Sequence, residues 1–348
     1  MRLTQFLLAT LFSAAATLAS AQAPDVPIYH EGKGTKPYAA LKEPALALVK
    51  DGALLNGDQV AEQLSARKTC KLTLPKPNSK PLNSRALYTR ARAAHLRVGW
   101  LFQEKRPKPK EGKPPKRWNF NLSGGYVLTA DGAAVTCHHV MEPPDTDAAG
   151  SYLVAADDDD HLYAVSEILA DNPDTDTCIF RIKGENLTPL PLASDTTPGD
   201  KVACFSDPMN QRGYYSEGIV ARFLTRPLAS APKGKQDPKT QPIWVEVSTD
   251  YAMGSSGSAV LDVFGNAVGH VSEIESMVDD QSDIPTKSRI SAPGTVIIFH
   301  DLIGAANVQA LINQDPTQVK EKEELNKGVS KETKSAAKGK GKPKKGDG

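Results

Sequence analysis

The chain has 348 residues, a net charge of +1 and a hydrophobic content of 39%. This length accommodates one large domain or two smaller ones. The near-neutral charge gives no argument for a specific nucleic-acid partner, and four cysteines are too few to form the disulfide scaffold of a chain this long.

The first 21 residues have the pattern of a signal peptide. Arg2 supplies positive charge, residues 3–18 form an apolar run, and residues 19–21 match a small-x-small cleavage site. We therefore expect cleavage after Ala21 and an exported protein, periplasmic or secreted. The alternative is a retained membrane anchor, but the apolar run is short for that purpose. No second run of spanning length follows, so we expect no stable membrane insertion.

Residues 22–85 form an N-terminal extension of mixed composition. A short helix is predicted over 57–67, with Asp58 as its N-cap, and Pro-rich residues 75–81 follow it. The sequence leaves open whether the extension is a pro-segment, a docking extension or part of the main domain.

From residue 86 onward, short apolar or alternating runs are separated by Gly, Pro, Asp and Asn, which predicts an all-β fold. The runs lie at 95–102, 124–129, 133–137, 162–169, 177–182, 201–205, 217–223, 243–249, 258–263 and 266–272. No long helical segments alternate with them, which disfavours a parallel α/β sheet. Apolar residues over 299–313 follow the helical period and predict one C-terminal helix.

Two segments have low complexity. Residues 105–117 are basic and Pro-rich, which predicts an extended loop. Residues 314–348 are Lys-rich and lack the apolar content of a folded core, which predicts a disordered tail. The tail is either solubilising only or a contact for anionic surfaces.

A glycine- and serine-rich turn at residues 254–258 (GSSGS) lies between two predicted strands. A nucleophilic serine needs an exposed hydroxyl beside convergent backbone N–H groups, and glycine tolerates the dihedral angles of such a turn. Ser256 is therefore a candidate nucleophile, and the N–H groups of Gly254 and Ser256 are candidate oxyanion donors. Such turns are also ordinary loop material.

A base and an orienting acid are available upstream. His138 and His139 follow a predicted hairpin, and residue chemistry alone does not separate the two. Asp176 is preferred to Asp174 because it directly precedes an apolar strand, where a carboxylate can orient a histidine ring. The alternative is an Asx turn that begins the strand. The chain order His, Asp, Ser is that of the chymotrypsin arrangement.

Three ordered blocks resemble bacterial trypsin-like peptidases of the HtrA/Deg group. SGGYVLTADGAAVTCHHV at 123–140 resembles the block GSGFVI…DG…LTNAHVV, which implies His139 as the catalytic histidine. DTDTCIFRI at 174–182 resembles the block of the catalytic aspartate, which falls on Asp176. TDYAMGSSGSAVLDVFGNAVGHVS at 249–272 resembles the nucleophile block, which places the catalytic serine at Ser256.

The resemblance covers about residues 86–313 and implies an all-β, chymotrypsin-like fold of two six-stranded antiparallel β-barrels with a C-terminal helix. The first barrel is expected over about 86–190, the second over about 191–298 and the helix over about 299–313. The implied activity is that of a serine endopeptidase acting on polypeptides through an acyl-enzyme on Ser256, with no cofactor or metal. Homo-oligomers are a further possibility, and no PDZ-like region is recognised after residue 313.

The resemblance has departures around the nucleophile. Ser255 replaces the usual Asn or Asp before the nucleophile, Ser258 replaces a glycine, and Ala259 and Val260 stand where Gly-Pro or Pro-Leu is common. None of these departures removes a catalytic atom. A catalytically impaired pseudoprotease that serves as a binding module stays open as the alternative. A serine esterase of the α/β-hydrolase kind is disfavoured by its Ser-Asp-His order.

The resemblance also implies substrate-binding residues. Asp250, six positions before Ser256, falls at the base of the S1 pocket, where a carboxylate selects Arg or Lys; the alternative is a structural aspartate. Ser272 is implied to hydrogen-bond Asp176. Glu273 and Ile274 are implied to edge the pocket, and the branched Ile274 favours a small or uncharged P1 residue.

Cys137 and Cys178 each lie two positions from a candidate catalytic residue. A disulfide between them and two buried free thiols both stay open. No CxxC pair is present, so a zinc site is not expected.

Overall fold

The structure is a computed structural model that describes residues 27–29, 38–103, 118–144, 150–228, 241–279 and 294–312. The predicted signal peptide, the basic loop at 105–117 and the Lys-rich tail lie outside the described residues. The described elements are twelve strands and five α-helices. The helices are α1 (Ala39–Lys50), α2 (Gly57–Ala66), α3 (Ser84–Ala94), α4 (His138–Met141) and α5 (Ala305–Ala310).

The strands form two closed, six-stranded antiparallel barrels, which confirms the predicted double-barrel fold. The first barrel has the order β1-β2-β3-β6-β5-β4 and the second has the order β10-β11-β12-β9-β8-β7. The first six strands are β1 (His95–Gln103), β2 (Trp118–Val127), β3 (Ala133–Thr136), β4 (Ser151–Ala156), β5 (Leu162–Asn172) and β6 (Thr177–Ile182). The next six are β7 (Lys201–Ser206), β8 (Tyr214–Thr225), β9 (Ile243–Val247), β10 (Ala259–Asp262), β11 (Ala267–Asp279) and β12 (Gly294–Gly304).

All ten strands that the sequence predicted are present. The end of the second barrel differs from the prediction. Residues 299–304, predicted as the start of a helix, continue β12, and α5 occupies only Ala305–Ala310. The physical reason is that β12 pairs with both β9 and β11 as far as this point, so ladder hydrogen bonds outweigh the local apolar spacing. The second barrel therefore extends past residue 298. Strand β4, between β1 and β5, was not predicted.

The described part of the N-terminal extension contains two α-helices and the start of a third. The helix predicted over 57–67 is confirmed as α2, but its N-cap is Asn56 and not Asp58. The side chain of Asn56 accepts from the N–H of Gln59, whose side chain accepts in return from the N–H of Asn56, and this forms a capping box. Helix α1, with Pro44 inside it, and helix α3 were not predicted. Of the helices in the described ranges, none has the length and apolarity needed to cross a membrane.

Helices α1 and α2 of this extension are part of the folded core. Leu41, Val60 and Leu64 are buried among side chains of the first barrel. The chain then crosses to the second barrel, where the N–H of Leu82 donates to the carbonyl of Val263, directly after β10, at 2.8 Å. The same segment therefore contacts both barrels through buried side chains and backbone hydrogen bonds.

Candidate active site

The turn that carries Ser256 joins β9 to β10 and requires glycine at two positions. Gly254 has φ +95° and Gly257 has φ +87°, a region that side chains other than glycine rarely adopt. A Cβ at Gly257 would also lie 2.3 Å from the carbonyl oxygen of Gly124. The resulting turn leaves Ser256 half-buried at the barrel interface.

The first barrel holds this turn by hydrogen bonds to carbonyl groups. The N–H of Gly124 donates to the carbonyl of Ser256 at 2.8 Å. The hydroxyl of Ser123 donates to the same carbonyl at 3.0 Å and to that of Gly254 at 3.2 Å. These contacts fix the turn against β2, so the site depends on the packing of one barrel on the other.

His139 lies in α4, directly after β3. Its Nδ1 lies 3.0 Å and 2.9 Å from the two carboxylate oxygens of Asp176, and its backbone N–H donates to the same group at 3.1 Å. The indole N–H of Trp100 donates to the carbonyl of Val140 at 3.1 Å and anchors the helix. The histidine therefore has a fixed backbone and an oriented ring.

Asp176 follows a 3₁₀ turn at Pro173–Thr175 and precedes β6. Its φ of +41° is left-handed, a conformation that aspartate tolerates better than most residues. Its carboxylate accepts from the hydroxyl of Ser272 at 2.5 Å, which is the contact implied by the resemblance. Its carbonyl oxygen lies 3.2 Å from the Nε2 of His270.

The electrostatics of this pair favour a charged aspartate. Burial raises the pKa of Asp176, but hydrogen bonds and charge from His139, with the bond from Ser272, outweigh burial and bring the pKa to about 2. Burial lowers the pKa of His139, but the bond to Asp176 and its charge outweigh this and raise the pKa above the ordinary 6.5.

Ser256 and His139 line one cleft of about 370 Å³, together with Gly254. The cleft lies between the barrels, because His139 and Asp176 come from the first and Ser256 from the second. The Ser256 hydroxyl donates to the carbonyl of Ser272 at 3.5 Å. The structure thus brings the three predicted catalytic residues together at one interface.

The neighbouring His138 belongs to a separate pair. Its Nδ1 lies 2.7 Å from a carboxylate oxygen of Asp171, which is buried. The bond to Asp171, working against burial, raises the pKa of His138. His138 is not among the residues that line the cleft. The two adjacent histidines therefore have different hydrogen-bond partners and different surroundings.

The predicted substrate-binding residues have different surroundings. Asp250 is exposed, and its carbonyl accepts from the hydroxyl of Ser216 at 2.9 Å. Glu273 lies 2.6 Å from Arg226 in an ion pair, and Ile274 is 42% exposed beyond it on β11. None of the predicted pocket residues Asp250, Glu273 and Ile274 lines the cleft that holds Ser256.

The four cysteines are free, and Cys137, Cys178 and Cys204 are buried. The Sγ of Cys137 lies within 4.8 Å of ligand-type atoms of His139 and Asp176, a grouping that a metal ion can use. Burial, reinforced by Asp176, raises the pKa of the Cys137 thiol well above its ordinary value. The thiol donates to the carbonyl of Val271 at 3.0 Å, so this cysteine has the character of a buried neutral donor.

Sequence reasoning missed several residues of the cleft. Trp100, Met209 and Asn210 line it, and Ser123 both lines it and holds the serine turn. Ser123 begins the first resemblance block, which is a signal that points to it. Met209 and Asn210 lie in a loop without any comparable pattern, so their place depends on tertiary packing.

Comparison with known proteins gives the trypsin-like peptidase domain, which agrees with the topology of two six-stranded barrels. Residues 123–269 match the family model of the trypsin-like peptidase domain. A probable periplasmic serine endoprotease, DegP-like, of Halomonas elongata is 26% identical over 180 residues, which are 51% of this chain and 34% of that protein. The DegP-like protein of Pseudomonas fluorescens is 24% identical over 177 residues, 50% of this chain and 34% of its own. The chain spans about a third of the length of these relatives.

Solved structures give weaker comparisons. The HtrA-type protease AlgW with a decapeptide has 15% identity and a TM-score of 0.49, with 66% of each chain covered. The serine endoprotease from Yersinia pestis has 16% identity and a TM-score of 0.42, with 67% and 66% covered. The fold assignment rests on the strand topology and not on these scores. With the family match, it confirms the resemblance to trypsin-like serine proteases of the HtrA type.

Proposed function

We propose that the chain is a serine endopeptidase in which Ser256 is the nucleophile, His139 the general base and Asp176 its orienting carboxylate. The observation that carries the proposal is that the carboxylate of Asp176 accepts hydrogen bonds from both the ring Nδ1 and the backbone N–H of His139. His139 lines the cleft that also holds Ser256. A histidine fixed in this way beside a half-buried serine that lines the same cleft is suited to general-base catalysis.

The chemistry follows from the positions of the protons. Because Asp176 accepts from Nδ1–H of His139, the Nε2 atom carries the lone pair that removes the proton of Ser256. The hydroxyl must turn from the Ser272 carbonyl towards Nε2 for this step. Ser256 Oγ then bonds to the carbonyl carbon of the peptide, and the protonated His139 donates to the leaving amine. His139 then deprotonates a water molecule, whose oxygen bonds to the acyl carbon. The bond from that carbon to Ser256 Oγ breaks, Oγ takes the proton back from His139, and the carboxylic acid product leaves.

The negative oxygen of each tetrahedral intermediate needs fixed donors. We assign this role to the N–H groups of Gly254 and Ser256, which belong to the turn that Ser123 and Gly124 hold by its carbonyl groups. Fixed donors of this kind are worth about 10²–10³ in kcat each. The proposed steps use no cofactor.

Fluorophosphonate labelling tests the nucleophile. The native protein is expected to label, and Ser256→Ala is expected not to. Ser258→Ala is the matched control, because it removes a hydroxyl two positions away in the same turn and Ser258 is fully buried. Absence of labelling in the folded native protein, or equal labelling of Ser256→Ala, would favour the pseudoprotease that serves as a binding module.

Export and substrate class form the remaining proposals. The predicted signal peptide and the DegP-like relatives, named as periplasmic, support a periplasmic or secreted protein that cleaves polypeptides. A mature N-terminus at Gln22 is the expected result of N-terminal sequencing after expression with export. Asp250 does not line the cleft that holds Ser256, so it gives no support for Arg or Lys at P1, and a small or uncharged P1 residue stays the proposal. A peptide library cleaved mainly after Arg and Lys would overturn that preference.

A further inference from the structure

The loop between β7 and β8 contains two adjacent residues in a left-handed conformation. Met209 has φ +54° and Asn210 has φ +61°, and neither is glycine. Residues other than glycine adopt this region only when their surroundings hold them there. Both residues line the cleft that contains Ser256 and His139.

This loop contacts the peptide unit that carries the first oxyanion donor. The N–H of Met209 donates to the carbonyl of Met253 at 2.6 Å. The carbonyl of Met253 and the N–H of Gly254 belong to one planar trans peptide, so they point in opposite directions. A bond that holds the carbonyl on the loop side therefore keeps the N–H of Gly254 pointing away from the loop.

The packing around Gly254 is consistent with this restraint. A Cβ built on Gly254 would lie 3.0 Å from the carbonyl oxygen of Asp207 and 3.6 Å from the backbone nitrogen of Met209. The loop thus packs directly on the backbone of the serine turn. A change in the loop conformation at Met209 and Asn210 changes the support of the Met253–Gly254 peptide.

The N-terminal extension holds this loop through one hydroxyl group. Tyr38, which immediately precedes α1, donates from its hydroxyl to the side-chain oxygen of Asn210 at 3.0 Å. The ring of Tyr38 is buried, with its centroid 6.2 Å from that of Phe120 on β2 and Arg97 above it at 5.9 Å. The tyrosine is therefore a fixed donor, and the exposed Asn210 is the partner that it restrains.

We propose that Tyr38 is a positioning residue for the oxyanion hole, acting through Asn210 and Met209 on the Met253–Gly254 peptide. The inference rests on the proposed function, because it presupposes that the N–H of Gly254 stabilises an oxyanion. It assigns the N-terminal extension a role in catalysis that neither the fold nor the proposed triad requires.

The variant Tyr38→Phe tests the inference, because it keeps the buried ring and removes the hydroxyl. The loss of a neutral hydrogen bond of ordinary strength changes an equilibrium constant about fivefold. We expect about a fivefold lower rate constant for labelling of Ser256 by a fluorophosphonate. With labelled casein as substrate, kcat should fall by a similar factor and KM should change little, because the donor acts on the transition state.

The matched control is Tyr215→Phe, which removes a tyrosine hydroxyl that donates to Glu217 on the same strand at 2.6 Å. This control should keep the native labelling rate. A role of Tyr38 in stability alone would lower the unfolding temperature of Tyr38→Phe without changing the labelling rate of the folded protein, and that result overturns the inference.

A second variant keeps the test decisive if Tyr38→Phe folds poorly. Asn210→Gly removes the acceptor, while glycine keeps the left-handed backbone. We expect it to lower the labelling rate, and the double variant with Tyr38→Phe to be no slower than Asn210→Gly alone. Rate losses that simply add overturn the inference. Unlabelled native protein would instead overturn the proposed function, so the two failures are distinguishable.

Discussion

Leu64 lies on the buried face of α2 and tests whether the N-terminal extension is part of the folded core. Its side chain is 6% exposed and packs in the cluster that includes Val60 of the same helix and Leu96 of the first barrel. Replacing a buried leucine by alanine costs about 3 kcal/mol. For a domain of about 150–250 residues, 1 kcal/mol lowers the unfolding temperature by about 2–4 °C. We therefore expect Leu64→Ala to unfold about 6–12 °C below the native protein.

Thermal unfolding followed by circular dichroism measures this shift. Glu62→Ala is the matched control, because Glu62 is exposed on the same helix, and surface substitutions cost within about 0.5 kcal/mol. An unchanged unfolding temperature in Leu64→Ala would refute the assignment of the extension to the core. So would a chain without residues 22–85 that keeps its activity and unfolding temperature, since a removable pro-segment behaves in that way.

Three further predictions concern the site. The acid limb of the kcat/KM profile should have an apparent pKa above 6.5, because His139 is active when neutral and its pKa is raised; a midpoint below 6.5 would contradict this. Asp176→Asn should lower kcat by about 10⁴ in steady-state assays while the fold is retained, and a loss under tenfold would contradict the assigned role. Cys137 and Cys178 should resist iodoacetamide at pH 8 until guanidinium unfolds the protein, because burial raises both thiol pKa values; fast labelling of the native protein, read by mass spectrometry, would count against it.

The strands were predictable where local pattern and tertiary pairing agree. The hairpin of β2 and β3 has an Asp131–Gly132 turn between apolar runs, and both strands formed as the pattern indicates. Residues 299–304 show the opposite case, because their apolar spacing fits a helix while their partners are two neighbouring strands. Helix α1 was missed for a related reason: Pro44 argues against a helix, but burial of Leu41 and Ala45 on the first barrel stabilises it.

The candidate catalytic residues were predictable as residue types, but residue chemistry alone did not predict which histidine pairs with which aspartate. His138 and His139 are adjacent, so chemistry alone leaves them equivalent, and the family resemblance was needed to choose between them. Their difference is set by two aspartates at separate places, Asp171 on β5 and Asp176 before β6. Met209 and Asn210 gave no signal, since their proposed role depends on a contact with a turn more than forty positions away.

Ser255 shows how this site replaces a feature of its relatives. Where the HtrA-type block has an asparagine or aspartate, Ser255 is buried and its hydroxyl donates to that of Ser206 at 3.0 Å. Both groups are neutral hydroxyls. This contact therefore holds the serine turn without a group that changes its charge between the ordinary pKa values of carboxyl and phenol groups, about pH 4 to pH 10. A single neutral bond is weaker than a charge-assisted one. We therefore expect the turn to depend on its backbone contacts with β2 and with the loop at Met209 and Asn210, which agrees with the proposed positioning of the oxyanion donors by side chains remote from Ser256.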